Sequence, residues 1–358
     1  MTRQLFITAT LLIGITGAFA QDQPANYKQR IHLLYNGIAT QLSDKNTGLY
    51  LESTDSAKNE NPHSYLWPLC AFLQGANEME ALEPGQSYMP PVETAIAQYY
   101  SDIPPAPGYQ AYVKKEKTDT RYYDDNQWLA ITWLDAYNRT RQKEYLDKAE
   151  AIERFMNTGL DTVTGGGFYW REGDKSTKNT CSNGPGILID LQLYKITHKQ
   201  EYLKTALAVY TWTNKWLQSP EGIYYDNIKV PSLKIAKATY TYNTGTMLQA
   251  NVLLYEITKD NKYLTEARRI AAAGKQQFFR NGRLPGNYWF NAVLLRGYEA
   301  LYRLDHNRDW ISFFQQDADA IWDTERDATG LLGRKPAKTL IDQGAMIEIY
   351  ARLQSLQQ

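Results

Sequence analysis

The chain has 358 residues, and its 39 basic and 39 acidic side chains cancel to a formal charge of zero. Such a balance offers no electrostatic reason to bind nucleic acid, an anionic membrane surface or a polyanion, so a neutral partner is expected. Two cysteines, Cys70 and Cys181, and four scattered histidines, His32, His63, His198 and His306, supply neither a disulfide scaffold nor a metal pair; unpaired thiols, no metal and no cofactor are expected.

Residues 1–20 read as a secretory signal: Arg3 precedes an apolar run from Leu5 to Phe19, closing on Ala18-Phe19-Ala20. Cleavage is expected near Gln21. The predicted product is exported to the periplasm or the medium without a membrane anchor, because no later stretch approaches the roughly 20 apolar residues a span needs. No Pro/Gly/Ser-rich linker or charge run divides residues 21–358, which are expected to form a single domain and a monomer.

Along that region, hydrophobic periodicity predicts twelve helices, near 26–43, 66–80, 91–102, 125–139, 143–158, 185–197, 200–218, 240–258, 261–279, 287–304, 308–323 and 339–355. They are organised by a repeat. "YNRTRQKEY", "YKITHKQEY", "YEITKDNKY" and "YRLDHNRDW" each place an aromatic eight residues after Tyr137, Tyr194, Tyr255 and Tyr302. Downstream segments such as "EYLDKAEAIERFM" are amphipathic, whereas upstream segments such as "TMLQANVLLY" are apolar nearly all round. An exposed outer helix therefore alternates with a buried inner one. Longer loops, "TGLYLES", "GGGFYWREG", "EGIYYDN" and "TGLLGRK", fall on one face, and their glycines signal turns into short strands. Six such pairs predict an all-α fold, the (α/α)6 toroid; an open helical solenoid is the alternative.

Counting back eleven or twelve residues from the repeat tyrosines reaches Asp125, Asn183, Asn243 and Asn291, one at the start of each inner helix. Asp and Asn are favoured caps, and Asp124 with Gln127 fits a capping box, so capping alone is a sufficient reading of each. Capping does not account for the aromatics beside them: Tyr122, Tyr123 and Trp128, Tyr169 and Trp170, Tyr240 and Tyr242, and Trp289. Aromatic faces next to amides and carboxylates suit a sugar. Retaining glycosidases hold two carboxyl groups about 5–5.5 Å apart, a spacing open to adjacent residues whose Cα atoms stand about 3.8 Å apart.

The stretch "YYDDNQW" resembles the signature of glycoside hydrolase family 76, the endo-α-1,6-mannanases. "SYLWP", "GGGFYW", "KNTCSNGP", "GIYYDN", "YTYNTGT" and "WFNAVLLRG" follow in the family's order. The resemblance implies a retaining hydrolase of α-1,6-mannan on an (α/α)6 barrel. Asp124 would be its nucleophile and Asp125 its acid/base. Tyr123, Trp128, Trp170, Asn183, Tyr242, Asn243 and Asn291 are candidate substrate contacts from their place in the repeat. A mannan transglycosylase, an unsaturated glucuronyl hydrolase, a sugar epimerase or a non-catalytic carbohydrate-binding protein are the alternatives; the charge balance weighs against the basic recess a glucuronyl hydrolase needs, and the scattered histidines against an epimerase.

Overall fold

The computed structural model describes residues 26–357; the predicted export signal lies outside them. Twelve helices stand where the periodicity placed them: α1 (Tyr27–Gln41), α2 (Leu66–Leu82), α3 (Met89–Ile96), α4 (Tyr123–Thr140), α5 (Lys143–Asn157), α6 (Thr180–Thr197), α7 (Gln200–Leu217), α8 (Thr241–Thr258), α9 (Asn261–Phe278), α10 (Tyr288–Asp305), α11 (Ser312–Thr324) and α12 (Leu340–Ser355). The even-numbered helices touch in succession, and α12 returns to α2. This is the (α/α)6 toroid, and its closure excludes the open solenoid. The outer helices pack on the ring, α5 on α4, α7 on α6, α9 on α8 and α1 on α12. Inner α6 buries every residue from Thr180 to Leu193, whereas outer α5 buries a stripe of Tyr145, Ala149, Ile152, Phe155 and Met156.

The repeat tyrosine is explained by how the inner helices end. Arg141, His198, Lys259 and His306, each four residues after a repeat tyrosine, adopt φ of 61°, 58°, 59° and 53°, and each N–H donates to that tyrosine's carbonyl. A left-handed residue with a Cβ costs about 1 kcal/mol. Each here lays its side chain on the ring: Arg141 and Lys259 at 5.6 and 5.9 Å from the centroids, His198 and His306 edge-on at 6.3 and 5.9 Å. The four sequence repeats are four copies of one C-terminal cap.

Several helix limits differ from the sequence expectation. α6 starts at Thr180, five residues early, with Pro185 inside it; at that depth the ring forfeits one intrahelical bond. α4 starts at Tyr123 rather than 125, α3 ends at Ile96 rather than 102, and residues 308–310 form a short 3-10 turn before α11. The loops carry short strands, as their glycines suggested: β1 (Ser43–Asp44) with β2 (Leu49–Tyr50), β3 (Tyr100–Ser101) with β4 (Gly108–Tyr109), and a three-stranded antiparallel sheet of β5 (Thr177–Asn179), β6 (Tyr225–Lys229) and β7 (Ile235–Thr239). Gly165, Gly166 and Gly167 all have positive φ, and a Cβ on Gly167 would meet the Trp212 ring at 2.7 Å. Glycine is required there both for backbone conformation and for close approach.

Candidate active site

Each inner helix begins fourteen residues before its repeat tyrosine, at Tyr123, Thr180, Thr241 and Tyr288, so equivalent positions can be compared. The second helical residues of five inner helices, Trp67, Asp124, Cys181, Tyr242 and Trp289, all line one cleft of about 790 Å³. The residues just ahead of four of those helices, Tyr65, Tyr122, Asn179 and Tyr240, line it as well. Helix N-termini, with free N–H groups and partial positive charge, thus converge on one basin. Its walls are aromatic: Trp289 meets Trp67 and Trp128 edge-on at 5.8 and 5.0 Å, Tyr242 stacks on Phe290 at 4.0 Å, and Tyr122 lies 4.9 Å from Trp170.

Asp124 and Asp125 are the second and third residues of α4. Tyr122 holds the cap position with no side-chain cap bond. The capping reading of the pair is therefore replaced: both carboxyls are presented to the cleft from inside the first turn. They differ sharply in their partners. Asp124 Oδ1 accepts the Asp125 N–H at 3.0 Å, its Oδ2 accepts Trp170 Nε1 at 3.1 Å, and the Cys181 side chain is a third partner. Asp125 receives no side-chain donor among the described residues; Cys70 Sγ bonds only its backbone carbonyl, at 3.4 Å. Burial raises both carboxyls. For Asp124 the three donors hold the rise to about 6. Asp125 has only the adjacent Asp124 charge added to its burial and is pushed well above the ordinary carboxylate range. The two neighbouring carboxyls are thus biased in opposite senses, Asp124 toward its anion by its donors and Asp125 toward its protonated form by burial and the adjacent charge.

Of the residues singled out by sequence, Asp124, Asp125, Trp128, Trp170 and Tyr242 line the cleft. The other four lie elsewhere. Tyr123 turns outward, packing on Phe155 at 5.1 Å with its hydroxyl on Thr158. Asp125 and Asn243 are third residues of their helices, whereas Asn183 and Asn291 are fourth, and one residue is about 100° around a helix. The fourth-position amides staple the preceding loop. Asn183 Oδ1 accepts the Phe168 N–H at 2.8 Å while its Nδ2 donates to the carbonyls of Phe168 and Asn179. Asn126 does the same to Tyr109, and Gln343 to Leu332. Asn291 joins Thr241 to the Pro285 carbonyl. Asn243 is fully buried, away from the cleft.

Sequence reasoning passed over Cys181, Asn179, Asp226 and Asn227, all on the cleft wall. Cys181 had a detectable signal, since it occupies the same place before Tyr194 as Asp124 does before Tyr137. Asp226 and Asn227 had none beyond lying in "GIYYDN". Both cysteines are free and buried. Among the described residues no group of three or more His, Cys, Asp or Glu side chains could hold a metal ion, and no helix is long and apolar enough to cross a membrane.

The model of glycosyl hydrolase family 76 matches residues 26–348. Mannan endo-1,6-alpha-mannosidase DCW1 of Saccharomyces cerevisiae is 27% identical over 188 residues, covering 48% of this chain and 41% of the yeast protein; the chain thus spans about two fifths of such a relative's length. A solved family 76 glycoside hydrolase (mannosidase) of Bacteroides thetaiotaomicron is 27% identical with a TM-score of 0.84, over 93% of this chain and 99% of that one. An alpha-1,6-mannanase of Salegentibacter sp., an inactive variant with two neighbouring aspartates replaced by alanine and alpha-1,6-mannotetrose bound, shares the fold at a TM-score of 0.79. It is 21% identical, over 92% of this chain and 98% of that one.

Proposed function

Because the chain belongs to glycosyl hydrolase family 76, we propose that it is a retaining, endo-acting hydrolase of the α-1,6-linked mannan backbone, with Asp124 as nucleophile and Asp125 as acid and then base. The observation that carries the assignment of roles is the unequal supply of donors to the two carboxyls. Asp124, with donors on both oxygens, is held as the anion, and attacks the anomeric carbon. Asp125, with no donor and a raised affinity for its proton, delivers that proton to the departing glycosidic oxygen. A covalent β-mannosyl ester on Asp124 results; Asp125, now ionised, takes a proton from water as it attacks, and the hemiacetal leaves with its α configuration. The substrate class rests on the activities of the relatives, and an aromatic-walled basin suits the C–H faces of a neutral sugar. Export, read from the N-terminal signal, would bring the enzyme to a polysaccharide that does not enter the cell.

The test is incubation of the mature protein with linear α-1,6-mannan, following product anomers by NMR. Initial α product is expected, and initial β product would overturn retention. Asp124→Asn and Asp125→Asn are each expected to lose at least about 10³-fold in kcat, a loss of roughly 4 kcal/mol of transition-state stabilisation. Azide separates the roles. Asp125→Ala should yield an α-mannosyl azide from the trapped intermediate, whereas Asp124→Ala should yield the β azide or none; the reverse pattern exchanges the assignments.

A further inference from the structure

The ring has a second concave end, which the mechanism above does not use. The second residues of five inner helices line the cleft. The thirteenth residues, eleven places further on and so about 16 Å lower along a helix, include Glu78, Asp135, Gln192 and Arg352. Glu78 and Arg352 pair with each other at 2.9 Å. Asp135 and Gln192 instead line a cavity of about 500 Å³ at the C-terminal ends of α4 and α6, closed on a third side by Gln249 and Leu253 of α8. The turns from α4 to α5 and from α6 to α7 are two residues each, too short to fold over its mouth.

Two polar side chains of this cavity have bonding capacity to spare. Gln192 is only 7% exposed, and its amide makes no hydrogen bond among the described residues; the exposure it keeps opens onto the cavity. Asp135 uses one oxygen, Oδ2 accepting Gln74 Nε2 at 3.1 Å, and its Oδ1 is free among the described residues. Closing the ring does not demand an amide at this place, since the equivalent residues of α8 and α10 are Leu253 and Ala300. A nearly buried amide without a partner is costly, so its presence where an apolar residue would serve points to something that enters the cavity. The walls also indicate what kind of molecule. Burial raises the Asp135 carboxyl while the Arg352 and Arg296 charges oppose it, so its charge is already answered from within and does not call for a cation. At the rim Lys195 pairs with Glu256 at 2.6 Å, and Arg141 lies over the Tyr137 ring at 5.6 Å. Acceptors on Asp135 and Gln192 thus stand beside donors on Gln192 and Arg141, with Ile196 and Leu253 giving apolar surface between them. A neutral polyhydroxylated molecule matches that mixture, because its hydroxyls both give and take hydrogen bonds and its C–H faces are apolar. The volume falls within the range of small-molecule sites.

We propose that this axial cavity is a second carbohydrate site, which takes a free mono- or disaccharide at the end of the ring away from the cleft, with Gln192 and Asp135 as its hydrogen-bonding pair. The inference does not depend on the mannan-hydrolase reading. A saccharide held there is out of reach of Asp124 and Asp125, so it is bound and not cleaved.

The experiment is methyl NMR on the mature protein labelled at isoleucine and leucine, titrated with D-mannose and with its α-1,6-linked disaccharide, in the wild type, Gln192→Ala and the cavity-filling Leu253→Trp, with thermal melts to establish that each variant is folded. The Ile196 and Leu253 methyls report this cavity, and the Trp128 and Trp289 indole N–H signals report the cleft separately. In the wild type at least one of the two sugars should shift the cavity methyls saturably, with a Kd at or below about 10 mM. Gln192→Ala should weaken that binding at least about fivefold, the worth of one hydrogen bond, and Leu253→Trp should abolish the Ile196 response while the indole signals still respond as in the wild type. Cavity methyls that stay still with both sugars, whether or not the indoles move, overturn the proposal, as does unchanged affinity at the cavity in a folded Gln192→Ala. Activity on mannan plays no part in the readout, so failure of the hydrolase reading and failure of this site are told apart.

Discussion

Two chemically identical neighbours, Asp124 and Asp125, are made different by three donors. Trp170 Nε1, the Asp125 N–H and the Cys181 side chain all serve Asp124, so its anion is favoured against the same burial that raises the proton affinity of Asp125. The signs give a bell-shaped pH dependence. Under the proposed roles Asp124 acts as the anion, so activity is expected to fall as pH drops through about 6; Asp125 acts with its proton on, so activity is expected to fall again on the alkaline side as pH rises through its raised value. A wild-type acid limb near the ordinary carboxylate range of about 4 would contradict this picture. Cys181 gives the sharper test. Cys181→Ala removes a donor from the anion and should move the acid limb of kcat/KM up by about half to one pH unit, while Cys181→Ser, which keeps a donor, should return it. A purely space-filling Cys181 would leave the limb in place in both variants.

At the scale of elements, the first turn of each inner helix divides its labour by position. In five of the six the second residue faces the cleft, and in α4, α6, α10 and α12 the fourth residue is an amide that binds the incoming loop. Gln343 of α12 pairs the backbone of Leu332 in both directions, at 2.8 Å each, and does not line the cleft. Gln343→Ala should leave a buried N–H and C=O unpartnered and cost about 2–3 kcal/mol in a denaturant melt, with kcat/KM unchanged within about twofold. A fall in activity without a fall in stability would refute the structural role. The same division explains what the sequence concealed. Polar residues at helix starts read as caps, and taking counts of eleven and twelve residues back from a tyrosine as equivalent merges fourth positions with third ones. Asp125 reaches the cleft while Asn183 and Asn291 serve the loops for the sake of a single residue's rotation.

At the scale of the whole molecule, a buried ionic network joins three of the six inner helices of the ring. Arg296 Nε and Nη2 meet Glu348 at 2.6 and 2.8 Å, and Arg352 reaches Glu348, Glu299 and Glu78 at 2.8, 2.9 and 2.9 Å, joining α10, α12 and α2. Its upper end touches the site, since the Arg296 guanidinium lies 5.8 Å from the Trp128 ring centroid. The seam is sewn again by the backbone, Leu340 N–H to the Glu52 carbonyl and Thr54 N–H to that of Lys338. Glu348→Ala should destabilise the fold by about 3–5 kcal/mol in equilibrium unfolding, because it strands Arg296 as a buried unpaired charge, and adding Arg296→Met should recover part of the loss. Equal stability of Glu348→Ala and wild type would show that the network carries no weight.

What the sequence by itself determined was periodic or contiguous: twelve helices, alternation of buried and exposed ones, the four-fold tyrosine repeat, and the adjacent aspartates with Trp128 close by. Hydrophobic spacing and neighbouring residues survive in one dimension because the physics that writes them acts within a turn or two of chain. Tertiary structure alone decided the rest. Cys181 meets Asp124 from across α6, Trp170 reaches it from a loop 46 residues away, and Asn179 faces Asn227 through a strand pairing. Those contacts depend on how a closed ring brings distant helix starts onto one axis, and on the register in which each helix begins, neither of which any local pattern records.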